Sequence, residues 1–216
     1  AAQRGRVLKI DPAEEIEREL EAAARLGVRF LALGDPDYPP LLRAVDAPPP
    51  VLALRGRADV LHRAGVAIVG SRNASAAGLA FTERLARGLA QADYVAVSGL
   101  ARGIDARAHQ ATLETGTIAV LAGGHDRLYP ADHGPLLARI LEHGAALSEM
   151  PMGWEPRGRD FPRRNRIVAG LALATIDWER KGVLHAIAEY RAICELCASS
   201  GQETSNPGCA RTWQNL

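Results

Sequence analysis

The run Gly65-Val-Ala-Ile-Val-Gly-Ser-Arg72 constrains this chain most, because a short apolar segment ends on glycine, serine and arginine and then gives way to helix-forming sequence. Such a segment reads as a buried strand leading through a tight turn into a helix. This is how an α/β fold builds an anion site: glycine lets the backbone approach a ligand, a helix N-terminus offers unpaired N–H groups, and the arginine adds full charge. The pattern recurs where 94–97 leads into Ser98-Gly-Leu-Ala-Arg-Gly-Ile-Asp105, 117–121 into Ala122-Gly-Gly-His-Asp126, and 145–147 into Ser148-Glu-Met-Pro151. Helical stretches over 79–90, 104–115, 135–142 and 167–173 separate these runs. The alternation implies βαβ units, so the fold expected is α/β and extended Rossmann-like, a mostly parallel sheet with helices on both faces and an atypical C-terminal part. The four loops then share the carboxyl rim of the sheet and line one crevice suited to a phosphorylated ligand.

With 216 residues, 47% of them hydrophobic, the chain can bury one sizeable core and a small appendage. The division expected is a lead-in of helix, strand and proline-rich connector over 1–58, a Rossmann-like domain over 59–175, and an atypical tail over 176–216. In the lead-in, Ile16, Leu20, Ala23 and Ala24 fall at helical spacing after Asp11-Pro12, and 28–33 reads as a strand. Tyr38-Pro39-Pro40 and Pro48-Pro49-Pro50 fit neither a sheet interior nor a helix middle, which leaves an ordered strap. In the tail, 178–195 carries an amphipathic helical pattern and 199–216 reads as loop. Net charge is +1 from 26 basic and 25 acidic residues, which excludes a polycation that coats nucleic acid by bulk charge. Local clustering must supply any such affinity, and Arg157, Arg159, Arg163, Arg164 and Arg166 face only Asp160 in their stretch. There is no membrane-length apolar run and no charged-then-apolar leader, so a cytoplasmic protein is expected. All three cysteines, Cys194, Cys197 and Cys209, sit late in the sequence, so no disulfide framework holds the core.

Neither G-x-G-x-x-G after the first strand nor G-x-x-x-x-G-K-[ST] is present, which argues against hydride and phosphoryl transfer. His109 and Asp105 fall four apart on the expected helix and read as mutual structural support rather than as an acid/base pair. His125-Asp126 and Asp132-His133 flank Tyr129-Pro130 without further ligands at useful spacing, and Cys194, Cys197, Cys209 and His185 lack the compact spacing of a zinc knuckle. No metal and no cofactor is expected. Glu149 stands where a hydrolase would place a general acid or base, and equally where a loop needs a cap. The most chemistry lies in Phe161-Pro-Arg-Arg-Asn-Arg-Ile-Val168, read as a proline-fixed turn at a helix start. There Arg163, Arg164 and Arg166, with Asn165, can grip successive phosphates while Phe161 offers a ring to a base.

Val66 to Ser71, Ser98 to Asp105 with Ala108-His109, Thr117-Ile-Ala-Val-Leu, Tyr129-Pro130, Ser148-Glu149 and Phe161-Pro-Arg-Arg-Asn-Arg-Ile167 together resemble the DNA-processing protein A family, DprA/Smf. So do Tyr38-Pro39 and the Pro-Pro-Val-Leu-x-x-Arg-Gly approach to the first strand, so that the likeness covers about 28–175. The resemblance implies an extended Rossmann domain, without catalysis, that binds single-stranded DNA in the crevice. It implies further that the protein protects incoming DNA and helps load the RecA recombinase in natural transformation, as a homodimer. Carried over by position, Gly70, Ser71, Arg72, Ser98, Gly99, Arg102, Gly103, Phe161, Arg163, Arg164, Asn165 and Arg166 are the expected DNA contacts, with Arg72 and Arg164 facing solvent. Family members begin with a small helical domain and continue past Ala174-Thr175 with a strand ending in Val-Glu-Ala and a closing Val-Pro-Gly. Neither is found here, so 176–216 is expected to be foreign to the fold, and dimerisation and RecA loading are not carried over by these residues. The alternative is a nucleoside-monophosphate phosphoribohydrolase acting through Glu149 or Asp126, although Ala122-Gly-Gly-His-Asp126 does not complete the Pro-Gly-Gly-x-Gly-Thr-x-x-Glu pattern that such enzymes resemble.

Overall fold

The computed structural model describes residues 12–177. The helical pattern over 178–195, the cysteines with His185, and the remainder of the tail lie outside the described residues. The chain forms α1 (Ala13–Arg25), β1 (Val28–Ala32), α2 (Pro40–Arg43), β2 (Val51–Gly56), β3 (Gly65–Val69), α3 (Ala76–Gln91), β4 (Val95–Ser98), α4 (Ile104–Ala111), β5 (Thr117–Val120), α5 (Gly134–His143), β6 (Ala145–Ser148), α6 (Asp160–Gly170) and β7 (Ala174–Asp177). One seven-stranded sheet has the order β1-β2-β6-β5-β4-β3-β7. Only β2 is reversed, antiparallel to both β1 and β6, and every other pairing is parallel. The α/β, mostly parallel Rossmann-like architecture is therefore the one the alternation implies.

The central strands are buried throughout because both faces are covered, and successive side chains feed two different cores. Val95, Val97, Ile118, Val120, Ala145 and Leu147 point to a core shared with Leu42 of α2 and Ile167 and Val168 of α6. Val66, Ile68 and Ala96 point the other way, onto Leu85, Ala86 and Leu89 of α3 and Ile104 and Ala108 of α4, while Ala119 and Ala146 meet Leu136, Leu137 and Ile140 of α5.

From β3 the chain steps outward through β4, β5 and β6, and then returns to place β7 on the far side of β3. Right-handed crossovers put α3, α4 and α5 on one face for the outward steps and α6 on the other for the return. The reversal at β3 is the topological switch point, where the helices on either side diverge and leave a crevice outside the carboxyl ends of the strands.

The lead-in does more than precede this sheet. β1 and β2 extend it, with Val28 opposite Arg55 and Ala53 opposite Ser148. The proline-rich strap is ordered as expected: Tyr38 is buried and its hydroxyl donates to the Pro49 carbonyl at 2.7 Å. At the other end β7 takes in Ile176 and Asp177, with Ile176 buried opposite Ile68.

Candidate nucleic-acid interface

The loop after β3 carries Gly70, Ser71 and Arg72, but helix α3 begins only at Ala76, with Ser75 as its cap accepting the Gly78 N–H at 3.1 Å. Glycine, serine and arginine thus sit on a loop ahead of the helix rather than on its first turn. That loop is fixed by its neighbour: the Ser71 carbonyl accepts the Ile104 N–H at 3.1 Å, and the Ser71 hydroxyl accepts the Asn73 N–H at 3.2 Å.

The loop after β4 wraps around Asp105, whose Oδ2 accepts the N–H groups of Gly99 at 3.1 Å and Ala101 at 3.3 Å. Leu100 (φ 58°) and Gly103 (φ 78°) take left-handed conformations that close the turn. Gly103 is needed twice over, since a side chain there would strain the backbone and drive a Cβ into the Ser71 carbonyl. Ser98 is buried and spends its hydroxyl on the Ile68 carbonyl at 2.6 Å, tying β4 to β3. His109 does not bond Asp105 as the four-residue spacing suggested. Its Nδ1 lies 2.8 Å from the Thr117 hydroxyl oxygen, across to β5.

Helix α6 begins at Asp160, so Pro162 falls in its first turn, where a missing N–H leaves no helical hydrogen bond unmade. The expected turn with a helix from 167 is therefore helix throughout, and its arginines diverge by the helical rotation. Arg164, expected to face solvent, is only 6% exposed. Its Nη1 donates to the carbonyls of Gly99 and Val120, at the ends of β4 and β5, and its Nε donates to the Asn165 amide oxygen at 3.2 Å. The close approach explains Gly99, where a Cβ would strike the guanidinium. Burial pushes the Arg164 pKa down and that of Asp105 up, while the attraction between the two charges opposes both shifts. The Asp105 carboxylate is held by two backbone N–H donors, and Arg164 acts on it through space rather than by direct contact.

Arg163 and Arg166, three apart on one helix face, both meet Glu149: the Arg163 Nε lies 3.3 Å from Glu149 Oε2, and Arg166 Nη2 contacts Glu149 Oε1. Arg166 also donates to the Ala47 carbonyl at 2.9 Å. Arg102 pairs with Asp132 at 3.1 Å on the surface. Arg72 remains exposed and lays its guanidinium over the half-buried Phe161 ring, 5.2 Å from its centroid. The other ring contact of Phe161 is Tyr129, edge-on at 5.3 Å and 61°.

A cleft of about 410 Å³ opens at the switch point. Of the residues expected from sequence, Gly70, Ser71, Arg72, Phe161, Arg164 and Asn165 line it, together with Val69, Asn73, Ala101, Asp105 and Asp177. Ser98, Gly99 and Gly103 shape the loops behind, Arg102 stands on the rim, and Arg163 and Arg166 face Glu149 instead. Sequence reasoning did not select Asn73, Asp177 or Tyr129 for the site. Asn73 directly follows Gly-Ser-Arg and could have been read from that loop, whereas Asp177 needed the position of β7. The carboxylates required by the hydrolase reading stand elsewhere, Glu149 between its arginines and Asp126 accepting the Gly153 N–H at 2.7 Å. Among the described residues no three histidine, cysteine or carboxylate side chains gather as a metal's donor set would, and no helix is long and apolar enough to cross a membrane.

A family model described as DNA recombination-mediator protein A matches residues 29–201. Protein Smf of Synechocystis sp. is 42% identical over 168 residues, which are 74% of this chain and 42% of that protein. DNA processing protein DprA of Streptococcus pneumoniae is 38% identical over 175 residues, 78% of this chain and 59% of that protein. The chain thus spans about half the length of the curated relatives it matches. Among solved structures, DprA from Streptococcus pneumoniae aligns with a TM-score of 0.66 at 30% identity, covering 95% of this chain and 77% of that one. DNA processing protein A from Helicobacter pylori, studied for its single-stranded DNA binding mode, aligns with a TM-score of 0.65 at 29% identity, covering 71% of this chain and 70% of that one.

Proposed function

Since this chain belongs to the DNA recombination-mediator protein A family, we propose that it binds single-stranded DNA in the switch-point cleft and serves DNA processing in natural transformation and recombination. The observation that carries this reading is the exposed Arg72 guanidinium stacked on Phe161 in a cleft also lined by the buried Asp105 and Arg164. One full positive charge and an aromatic support thereby stand together beside backbone loops rich in glycine, which suits a phosphate and its neighbouring base. The cleft asks for positioning, not for acid/base work, so the reading is of a binding protein rather than an enzyme.

The finer role rests on family membership alone: protection of incoming strands, transfer to the RecA recombinase, and a homodimeric state. The twelve residues expected from sequence then divide by task. Gly70, Ser71, Arg72 and Asn165 touch the strand, and Phe161 supports Arg72 from behind. Arg164, Ser98, Gly99 and Gly103 hold the loops that present them, while Arg102, Arg163 and Arg166 add a rim of partly neutralised charge. Fluorescence anisotropy with single-stranded and duplex oligonucleotides over a salt series tests the reading. We expect preference for single strands and a log–log salt slope of about 0.7 per phosphate contact. A slope near zero, or equal affinity for duplex, would count against it.

A further inference from the structure

We propose that Tyr129 is a base-stacking platform at the mouth of the cleft, receiving the base next to the nucleotide whose phosphate meets Arg72. The proposal rests on the single-stranded DNA reading above and assigns a further contact to it. Phe161, the ring that the sequence offered for stacking, is half-buried and already carries the Arg72 guanidinium over its face at 5.2 Å. Its contact with Tyr129 is edge-to-face, with centroids 5.3 Å apart and planes at 61°. Phe161 therefore serves chiefly as a support for two side chains that reach further out. Tyr129 is one of them and is 55% exposed.

The loop that bears Tyr129 is held in place. The adjoining Pro130 is buried, and the His133 Nδ1 lies 3.0 Å from the Leu100 carbonyl. Asp132 pairs with Arg102 at 3.1 Å, so the loop is joined to the one after β4 from two positions. Leu128, just before the tyrosine, packs against the core formed with α5. An aromatic ring on an anchored loop loses little conformational freedom when a ligand covers it, which is what a stacking platform requires. The chemistry recognised is the π-face of any nucleobase, without hydrogen-bond readout. Such a surface selects unstacked single strands and tolerates every sequence. The paired Asp132 beside it leaves little local charge for a second phosphate, so the contribution of Tyr129 depends on the base and not on the backbone.

The test uses fluorescein-labelled oligodeoxythymidylate and a labelled oligomer of equal length built from abasic residues, titrated with the whole chain at fixed ionic strength. Tyr129→Ala should weaken binding to the thymidylate about tenfold, within the range for one base–aromatic stack, and leave abasic binding within about twofold. Tyr129→Phe should restore the loss, since the ring and not the hydroxyl stacks. Arg72→Ala should weaken binding to both oligomers. Equal losses on both oligomers for Tyr129→Ala would mean that the residue only holds its loop, and no loss on either would mean that bases pass it by. Both outcomes overturn the proposal while the unsubstituted chain still binds. Failure of the unsubstituted chain to bind thymidylate overturns the function proposed above, and this assignment with it.

Discussion

Two arginines that look equivalent in sequence have opposite tasks once each is placed. Arg72 is exposed, and its main contact with the rest of the protein is the Phe161 face, a cation–π contact worth about 0.5–1 kcal/mol. Arg72→Ala should therefore cost roughly 1.5–3 kcal/mol of DNA binding, the range for hydrogen bonds to charged groups, and lower the thermal midpoint little. Arg164 is buried and donates to the Gly99 and Val120 carbonyls, so its removal leaves buried acceptors without their donor. Arg164→Met should cost roughly 2–5 kcal/mol of fold stability, about 1–3 for each buried carbonyl left without its donor, and DNA binding should fail only as far as the cleft collapses. Parallel urea titrations and anisotropy on the two variants check the contrast. The idea fails if Arg164→Met unfolds like the unsubstituted chain and loses only affinity. Nothing in the sequence separates these two arginines, because the difference arises from the angle at which α6 meets the ends of β4 and β5.

At the level of elements, α6 presents a charged face that is already ion-paired, with the Glu149 Oε2 buried without a hydrogen-bond partner. Arg163 and Arg166 both converge on Glu149, whose side chain is only 11% exposed, so a strand bound as proposed would compete with a carboxylate for two of the three arginines in the motif. Glu149→Gln removes that competition. Affinity for single strands should rise and the salt slope should steepen, by up to about 0.7 for each arginine freed, at some loss of thermal stability. A fall in affinity would show instead that Glu149 holds the arginines where the strand needs them. The elements best read from sequence were the central strands, because Val, Ile and Ala runs buried on both faces leave a continuous apolar signal bounded by glycine and serine. β2 was not read as a strand, since Pro48-Pro49-Pro50 precedes it and its pairing partners, β1 and β6, are far away in sequence. The start of α6 was placed too late for a similar reason: Pro162 signals a break in a helix interior and is permitted in a first turn, and only the position of Asp160 distinguishes the two.

For the whole molecule, the crevice at the carboxyl ends of the strands followed from the βαβ alternation, whereas its exact place followed from β7 pairing beside β3, a long-range event with no local signature. The same long-range packing buries two histidines in neutral form, and acid stability follows from them. His109 is fully enclosed; the Thr117 hydroxyl donates to the Ala96 carbonyl at 2.7 Å, so the imidazole must donate from Nδ1 and keep a bare Nε2. Burial, then the positive charge of Arg164 and the neighbouring His133, pushes its pKa down to about 3. His125 reaches across to β2, its Nε2 lying 3.1 Å from the Ala53 carbonyl, and burial pushes its pKa down to about 4. In the unfolded chain both titrate near 6.5. Between that value and the folded ones the unfolded state binds more protons, so their contribution to stability is complete above pH 6.5 and is lost as pH falls toward 4 and 3. Each histidine removes about 1.4 kcal/mol per pH unit in that window, so the pair takes roughly 4 kcal/mol between pH 6.5 and 5, a large part of a typical domain's stability. Asp105, its pKa pushed up by burial, acts with the opposite sign: its contribution falls as pH rises through its folded value. Urea midpoints at pH 7, 6 and 5 for the unsubstituted chain and for His109→Gln separate the effects, because Asp105 is common to both proteins. The variant should be less stable at pH 7 yet lose stability at about half the rate on acidification, and equal slopes for the two proteins would show that His109 is not the residue that carries the acid sensitivity.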